Sequence, residues 1–586
     1  MQPEDKQTYD VAIVGGGVGG SALAAILARH GVRVLIVEGG GHPRFAIGES
    51  TVPETTIGLR VLARRYDVPE IANLANNTDL RHHVSSACGV KRNFSFAYHR
   101  EGEPFRAREC TQYPTWGPPL GPDSHFFRQD VDAYLYSVAL SYGATGRTHT
   151  PITGVEFDSG GAELRTGSGE TYRAAFVVDA GGMRSVLADV LDLRIDPPYR
   201  TRSRTIYSHF VGVQPFDRVI PPRREHGMPS PLGQGTLHHL FEGGWMWVIP
   251  FDNHVESTNP LCSVGINLDI DRYPRPEGLT AEQEFWTHVE RFPTVARQLA
   301  HAKAVRPYIA STRSQFASRQ VVGPRWCMLP HASDFIDPLF SSGLAVTVMA
   351  LNALAHRLID AVRADDYAVE RFDYLQTWTK RMFDYYDALV FNSYTAFDDF
   401  ELWNAWNRVW TIGTLYGATS QIQALLSYER RQRPEAFEAL ERAPYRGLQA
   451  IDNPQYAELF DTACAAMADY RAGNIKSDEA CGRIYDALGR SGLVPRVWGT
   501  LDPADRCPAG TFTLPPMHFI HLWGKHFSPA HVRGSYFTQG VGTVVRDAAG
   551  FYAKQVGRNV TALHQSMRDM WINWNQDWQK VGGPRR

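Results

Sequence analysis

VAIVGGGVGGSALAAILARHGVRVLIVE, residues 11–38, reads as an apolar strand, a glycine turn, an apolar helix and a second strand that ends in an acid. Gly15, Gly17 and Gly20 fill the pattern G-x-G-x-x-G. The first glycine permits the tight turn, the second lets a pyrophosphate approach the backbone, and the third lets the helix pack on the strand. Free N–H groups at the helix start then face the phosphate. Glu38 is placed to accept from a ribose hydroxyl, which suits the unphosphorylated ribose of FAD or NAD. A glycine turn before a helix can be tight packing and nothing more. Here strand, helix, strand and terminal acid agree, so a dinucleotide-binding α/β domain is expected.

The rest of the composition narrows the class. At 586 residues the chain exceeds what one hydrophobic core supports, so a composite domain plus a further unit is expected. Lys and Arg total 60 against 62 Asp and Glu, and no basic run carries interleaved aromatics, which gives no case for nucleic acid. Seven scattered cysteines without a C-x-x-C pair speak against a disulfide framework and a zinc site and favour a reducing cytoplasm. The polar, acidic start MQPEDKQTYD does not read as a signal peptide. SSGLAVTVMALNALAHRLIDAV (341–362) contains His356 and Arg357, so a buried helix is expected there and no membrane span. The pairs His82–His83 and His238–His239 lack helical i, i+4 spacing and companion cysteines. Structural histidines are expected, and no metal.

Two further glycine-bearing segments follow the first: FVVDAGG at 176–182, and SDFIDPLFSSG at 333–343, before the long apolar helix. Together the three resemble the FAD-contacting segments of flavoprotein monooxygenases, with their glutathione-reductase-type, Rossmann-like domain. The resemblance favours FAD over NAD. Residues 1–365 are expected to form this domain, with a substrate β-sheet inserted at about 204–320. Residues 366–586 are expected to be mostly helical, with an extension from about 493.

GGWMWVIPF, residues 243–251, is apolar on both faces of a strand, with Trp245, Trp247 and Ile249 on one side and Met246 and Val248 on the other. Taken alone it is a buried core strand. With GESTVP at 48–53, a strand lysine at 91 and DPLFSSG at 337–343, it resembles the FADH2-dependent halogenases over roughly the first 410 residues. ACGVKRNFSFAYH, GWMWVIPFDNH and SYTAFDDFELWNAWNRVW are most similar to the branch that acts on free phenols.

The resemblance implies FADH2 delivered by a separate flavin reductase, O2, and chloride or bromide oxidised beside the flavin to hypohalous acid. That oxidant then travels to a phenolic small molecule. Trp245, Trp247, Ile249 and Pro250 would form a wall between flavin and substrate. Lys91 would be the catalytic residue, hydrogen-bonding the oxidant or becoming a haloamine. Period-two alternation through GVKRNFSFAY puts Lys91 with Asn93, Ser95 and Ala97, opposite Phe94. Ser342 and Gly343 match the halide position, where N–H groups at a helix start suit an anion; an ordinary serine cap fits the same residues. Phe340 stands where tryptophan-halogenating relatives carry a glutamate, which implies another substrate. Phe340 and Phe94 are assigned to the substrate pocket. Arg44, Gly48, Ser50, Arg128 and Asp337 are assigned to the flavin. Pro330 and His331 replace a Gly-Asp of related FAD enzymes, which implies loose FAD retention. Trp571, Trp574 and Trp578 share a face of a terminal helix, expected to dock on the body, with a homodimer contact or another protein as alternatives. The rival readings are an aromatic hydroxylase and a FAD-fold binding protein without redox activity.

Overall fold

The computed structural model describes residues 8–578 except 119, 496–497, 509–513, 544, 547–548, 551–552, 554–559 and 577. Its first sheet is Rossmann-like. Thr8–Val14 lies parallel between Val34–Val37 and Thr171–Asp179, and the sheet continues to Thr145–Arg147 on one side and Trp326–Met328 on the other. These strands are short apolar runs because helices cover both faces. The glycine-turn helix Val18–Arg29 packs between helices Arg128–Ser141 and Gly343–Ala364. Gly343–Ala364 is the one helix among the described residues long and apolar enough to cross a membrane, and most of it is buried in the protein.

The second sheet runs in the order 203–211, 262–269, 244–250, 236–241, 93–98, 110–114, with 303–304 on the outer edge. All of these pairings are antiparallel except Thr236–Phe241 with Asn93–Tyr98. The sheet therefore draws two strands from before residue 204. The interval 204–320 is also not mostly strand, since helices Ala281–Glu290 and Pro293–Leu299 cover the sheet's outer face. Every residue of Gly244–Pro250 is buried. Trp245, Trp247 and Ile249 enter the main core while Met246 and Val248 enter a second core behind the sheet. This is the division that the two-residue period predicts.

Between the two sheets lies a two-stranded ribbon, Gly89–Lys91 with Asp123–His125, in which Lys91 is opposite Asp123. The chain leaves this ribbon at Arg92 and joins the second sheet at Asn93. Helices Asp373–Ala396 and Phe400–Arg431 close the site from the C-terminal side. Asp399 caps the second of them, accepting from the N–H groups of Glu401 and Leu402, an arrangement worth about 1 kcal/mol.

Helix Pro53–Arg65 packs against Phe400–Arg431 and carries Glu54 into their interface. The Glu54 carboxyl is fully buried and accepts from the Gln449 backbone N–H at 2.9 Å. Burial pushes its pKa up to about 8, against the opposing pull of the Gln449 N–H. The folded chain thus holds this proton where the unfolded chain has lost it. Its stabilising effect is complete below about pH 4.5 and disappears as pH rises through 8. Glu54→Gln is expected to remove that loss. In melting experiments from pH 5 to 9 the variant should gain on the wild type by on the order of 4 kcal/mol. Parallel curves would show that Glu54 is already ionised.

Candidate active site

At the glycine turn, Gly15 has φ +111°, and a Cβ there would meet the Ala180 carbonyl oxygen at 2.6 Å. A Cβ at Gly20 would collide with the Gly15 carbonyl oxygen. Gly17 is the N-cap, and no side chain caps the helix, so its first N–H groups are left for a phosphate. Glu38 accepts from Gly16 N and Gly40 N, both at 2.9 Å, and pairs with Arg44, which also reaches Asp132 at 3.2 Å.

Around this corner three buried polar atoms make no hydrogen bond: both His42 ring nitrogens and the Tyr136 hydroxyl. His42 and Tyr136 both lie close to Gly16, their rings 4.7 Å apart. Unused donors and acceptors around an uncapped helix start fit the adenosine diphosphate half of FAD. Arg128 ties down the 47–48 strap, donating to the Ile47 and Gly48 carbonyls and pairing with Asp132 at 2.7 Å. Gly48 has φ +88° where that strap turns.

One assignment needs correction, and two residues assigned to the flavin have partners within the protein. Lys91 does not share a side with Asn93 and Ser95, because the strand breaks at Arg92; its Nζ lies 4.0 Å over the Phe94 ring. Ser50 faces the lysine: Lys91 Nζ donates to Ser50 Oγ at 2.9 Å and to the Thr51 carbonyl at 2.6 Å. Asp337 accepts from Ser203, Tyr394 and the Leu339 N–H, which attaches it to the second sheet and the helical cover; burial pushes its carboxyl up to about 6.

Lys91 is 1% exposed. Burial lowers its pKa and Asp123 pulls it back up, while burial raises that of Asp123. From the amine a directed chain of hydrogen bonds runs to the tryptophan strand. His125 Nδ1 lies 2.9 Å from the Pro250 carbonyl and must donate to it. Burial lowers His125 to about 3, so the ring is neutral and Nε2 accepts from Thr236 Oγ1 at 3.0 Å. Thr236 must then accept from Ser50 at 2.8 Å, leaving Ser50 Oγ to accept from Lys91. With two N–H groups engaged, a neutral Lys91 keeps a lone pair for the cavity and an ammonium keeps a third N–H.

That cavity is lined by Val52, Lys91, Phe94, Tyr113, Trp410 and Thr414, among others, with about 20 Å³ open to water-sized occupants. It holds a molecule the size of water. Phe340 reaches it through Trp410, whose ring is 4.9 Å from Phe340 and 5.5 Å from Phe94. A row of ring contacts continues from Phe94 through His238 to Trp245 and Trp247, with centroid separations of 4.6, 5.3 and 5.8 Å.

Ser342 caps the long helix by position, but its side chain makes no capping bond, so the first-turn N–H groups have no serine partner. The preceding Ser341 sits at φ +52°, a strained conformation for a non-glycine residue. Gly343 faces His331, whose Nδ1 pairs with Thr347 at 3.1 Å, and Thr347 rests on Gly19 of the glycine-turn helix. His238 and His239 are buried and bonded to Ser95 O and to His99 and Gln298, whereas His82 and His83 are exposed. No group of three or more metal-ligating side chains occurs among the described residues.

Trp410 and Asp123 are the site residues that sequence reasoning left without a role. Trp410 lies in an aromatic run whose rings all read alike, and Asp123 is brought to Lys91 by a ribbon pairing with no local signature.

Residues 111–437 match the family described as tryptophan halogenase, and residues 13–70 match a NAD(P)-binding Rossmann-like domain. The tetracycline 7-halogenase of Kitasatospora aureofaciens is 43% identical over 498 residues, which is 84% of this chain and 89% of the relative. The chain belongs to the flavin-dependent halogenases. The halogenase is also 39% identical, over 91% of its own length and 94% of the relative's, to the monodechloroaminopyrrolnitrin halogenase PrnC of Pseudomonas fluorescens. The crystal structure of halogenase PltM in complex with phloroglucinol and FAD superposes with a TM-score of 0.82 at 34% identity, covering 85% of this chain and 99% of that one. The enzyme uses FAD, O2 and a halide. Flavin-dependent halogenases in general take reduced flavin from a separate reductase and act on aromatic substrates.

Proposed function

We propose that this halogenase acts on a phenolic small molecule by electrophilic substitution, with Lys91 handing over the halogen. One observation carries this reading: a fully buried amine, held by Ser50 and the Thr51 carbonyl, lines a small cavity walled by Phe94, Tyr113 and Trp410. Bound FAD, reduced and supplied with O2, provides the oxidation of halide to hypohalous acid. Helix N–H groups at Ser342 and Gly343 hold the halide. Trp245, Trp247, Ile249 and Pro250 keep the substrate ring away from the flavin, and the Lys91 amine presents the halogen to it. Phe94, Phe340 and Trp410 supply flat apolar surface for that ring. Phloroglucinol, bound by PltM, is a phenol, and ionising a phenol already activates its ortho and para carbons, so no dedicated carboxylate is needed at Phe340.

The test combines the enzyme with a flavin reductase, NADH, FAD, O2, bromide and a resorcinol-type phenol, with mass spectrometry of the product. A product carrying bromine is expected. A product heavier by one oxygen would assign the wall to the core and make the enzyme a hydroxylase on this substrate. Phenol recovered unchanged while an arylpyrrole is brominated would move the substrate class toward that of PrnC.

A further inference from the structure

The helix Val560–Trp571 and the residues after it do not dock as a single tryptophan face. The helix ends at Trp571, which is exposed, while Trp574 and Trp578 lie beyond it and turn inward. Trp574 approaches the back of the lysine ribbon, while Trp578 packs into the second core against Gly233. Arg92, next to Lys91 and 2% exposed, donates through Nε to the Asp569 carbonyl at 2.8 Å and through Nη2 to the Asn573 carbonyl at 3.3 Å. Its Nη1 donates to Gln234 Oε1 and to the Asn253 carbonyl, and the guanidinium sits over the Trp574 ring at 5.3 Å. The fully buried Asp569 side chain accepts from Thr78 at 2.9 Å and pairs with Arg81. Ser566 donates to the Gly121 carbonyl, two residues before Asp123. Asn575 donates to the Asp252 carbonyl, just past the tryptophan strand.

The C-terminal segment thus holds the chain where it leaves Gly89–Lys91, at Arg92, where it approaches Asp123–His125, at Gly121, and just past Gly244–Pro250, at Asp252. Arg92 is also the residue at which the chain passes from the ribbon to the second sheet. Two of the four acceptors that hold it there come from residues 569–573. We propose that residues 566–575 form a positioning clamp, acting through Arg92 and Asp569, that sets the Lys91 amine in its cavity. The clamp governs whether hypohalous acid reaches the substrate or escapes. This inference rests on the reading of Lys91 given above.

The test uses the full-length enzyme with reductase, NADH, FAD and bromide, in four forms: wild type, Lys91→Ala, Asp569→Asn and Trp574→Ala. Asp569→Asn preserves shape, and Trp574 is a half-buried loop position, so both variants are expected to fold and to bind FAD as the wild type does. Two quantities are read in each: brominated phenol per flavin oxidised, and hypobromous acid captured in solution by a 1,3-diketone scavenger. Both clamp variants are expected to lose five-fold or more of the first and to gain the second correspondingly, approaching Lys91→Ala. General loosening of the fold would lower both quantities together and overturn the proposal. So would an unchanged product ratio in both clamp variants alongside a lost one in Lys91→Ala. A Lys91→Ala enzyme that still brominates would instead remove the underlying reading.

Discussion

Lys91→Ala is expected to lower the halogenated product by about a thousand-fold, within the range typical of removing a positioned proton-transfer group, while flavin oxidation continues at the wild-type rate. The amine is the one lysine group on the cavity, whose lining also includes the hydroxyls of Tyr113, Thr115, Thr411 and Thr414. Lys91→Arg should fail almost as completely. A guanidinium is larger than the space beside Phe94 and stays protonated at every working pH.

Asp123→Asn then tells which form of the amine works. Burial already pulls the Lys91 pKa down, and the Asp123 carboxylate opposes that pull. Without the carboxylate the pKa falls further. If the neutral amine is the working form, the acid limb of the pH–rate profile moves to lower pH and activity at slightly acid pH rises. If the ammonium is the working form, the alkaline limb moves down and activity near neutrality is lost. A profile that does not move with Asp123→Asn would mean that neither limb belongs to Lys91.

The second large effect belongs to the glycine turn. Gly20→Ala places a methyl group against the Gly15 carbonyl oxygen, a backbone atom with no rotamer to yield. Relief requires helix Val18–Arg29 to move off Thr8–Val14, which carries the uncapped N–H groups away from the phosphate position. A destabilisation of about 1–3 kcal/mol is expected from the overpacking alone. FAD affinity, followed by quenching of flavin fluorescence, should fall about a hundred-fold or more. Gly482→Ala is the control. That glycine lies inside helix Ser477–Arg490 with nothing within 4 Å, so alanine should be neutral or raise stability by up to about 1 kcal/mol. Equal behaviour of the two variants would show that the turn is not closely packed.

The nucleotide half was legible in the sequence because its determinants are neighbours: Gly15, Gly17, Gly20 and Glu38 fall within one strand–helix–strand unit. The two faces of Gly244–Pro250 were legible for a similar reason, since alternation continues through one regular strand whose faces meet two cores. Alternation put Lys91 on the wrong side of its strand. Alternation assumes an unbroken strand, and the break at Arg92 is imposed by acceptors at 234, 253, 569 and 573 that no local window contains. Ser50 reads as part of a strap until the ribbon brings Lys91 and Thr236 to its hydroxyl. The terminal tryptophans were grouped by helical spacing, which stops applying once the helix stops at Trp571.

The hydrogen bonds from Thr78 and Arg92 to Asp569 span 491 and 477 positions of chain. During synthesis at about 5–20 residues per second, the lysine ribbon leaves the ribosome roughly half a minute to a minute and a half before its partner does. Contacts of such sequence separation also close late in folding. The nucleotide-binding sheet, whose pairings lie within the first 330 residues, can assemble in that interval. The nascent chain can therefore form its nucleotide-binding sheet before residues 566–575 arrive to hold Arg92 and the ribbon beside it.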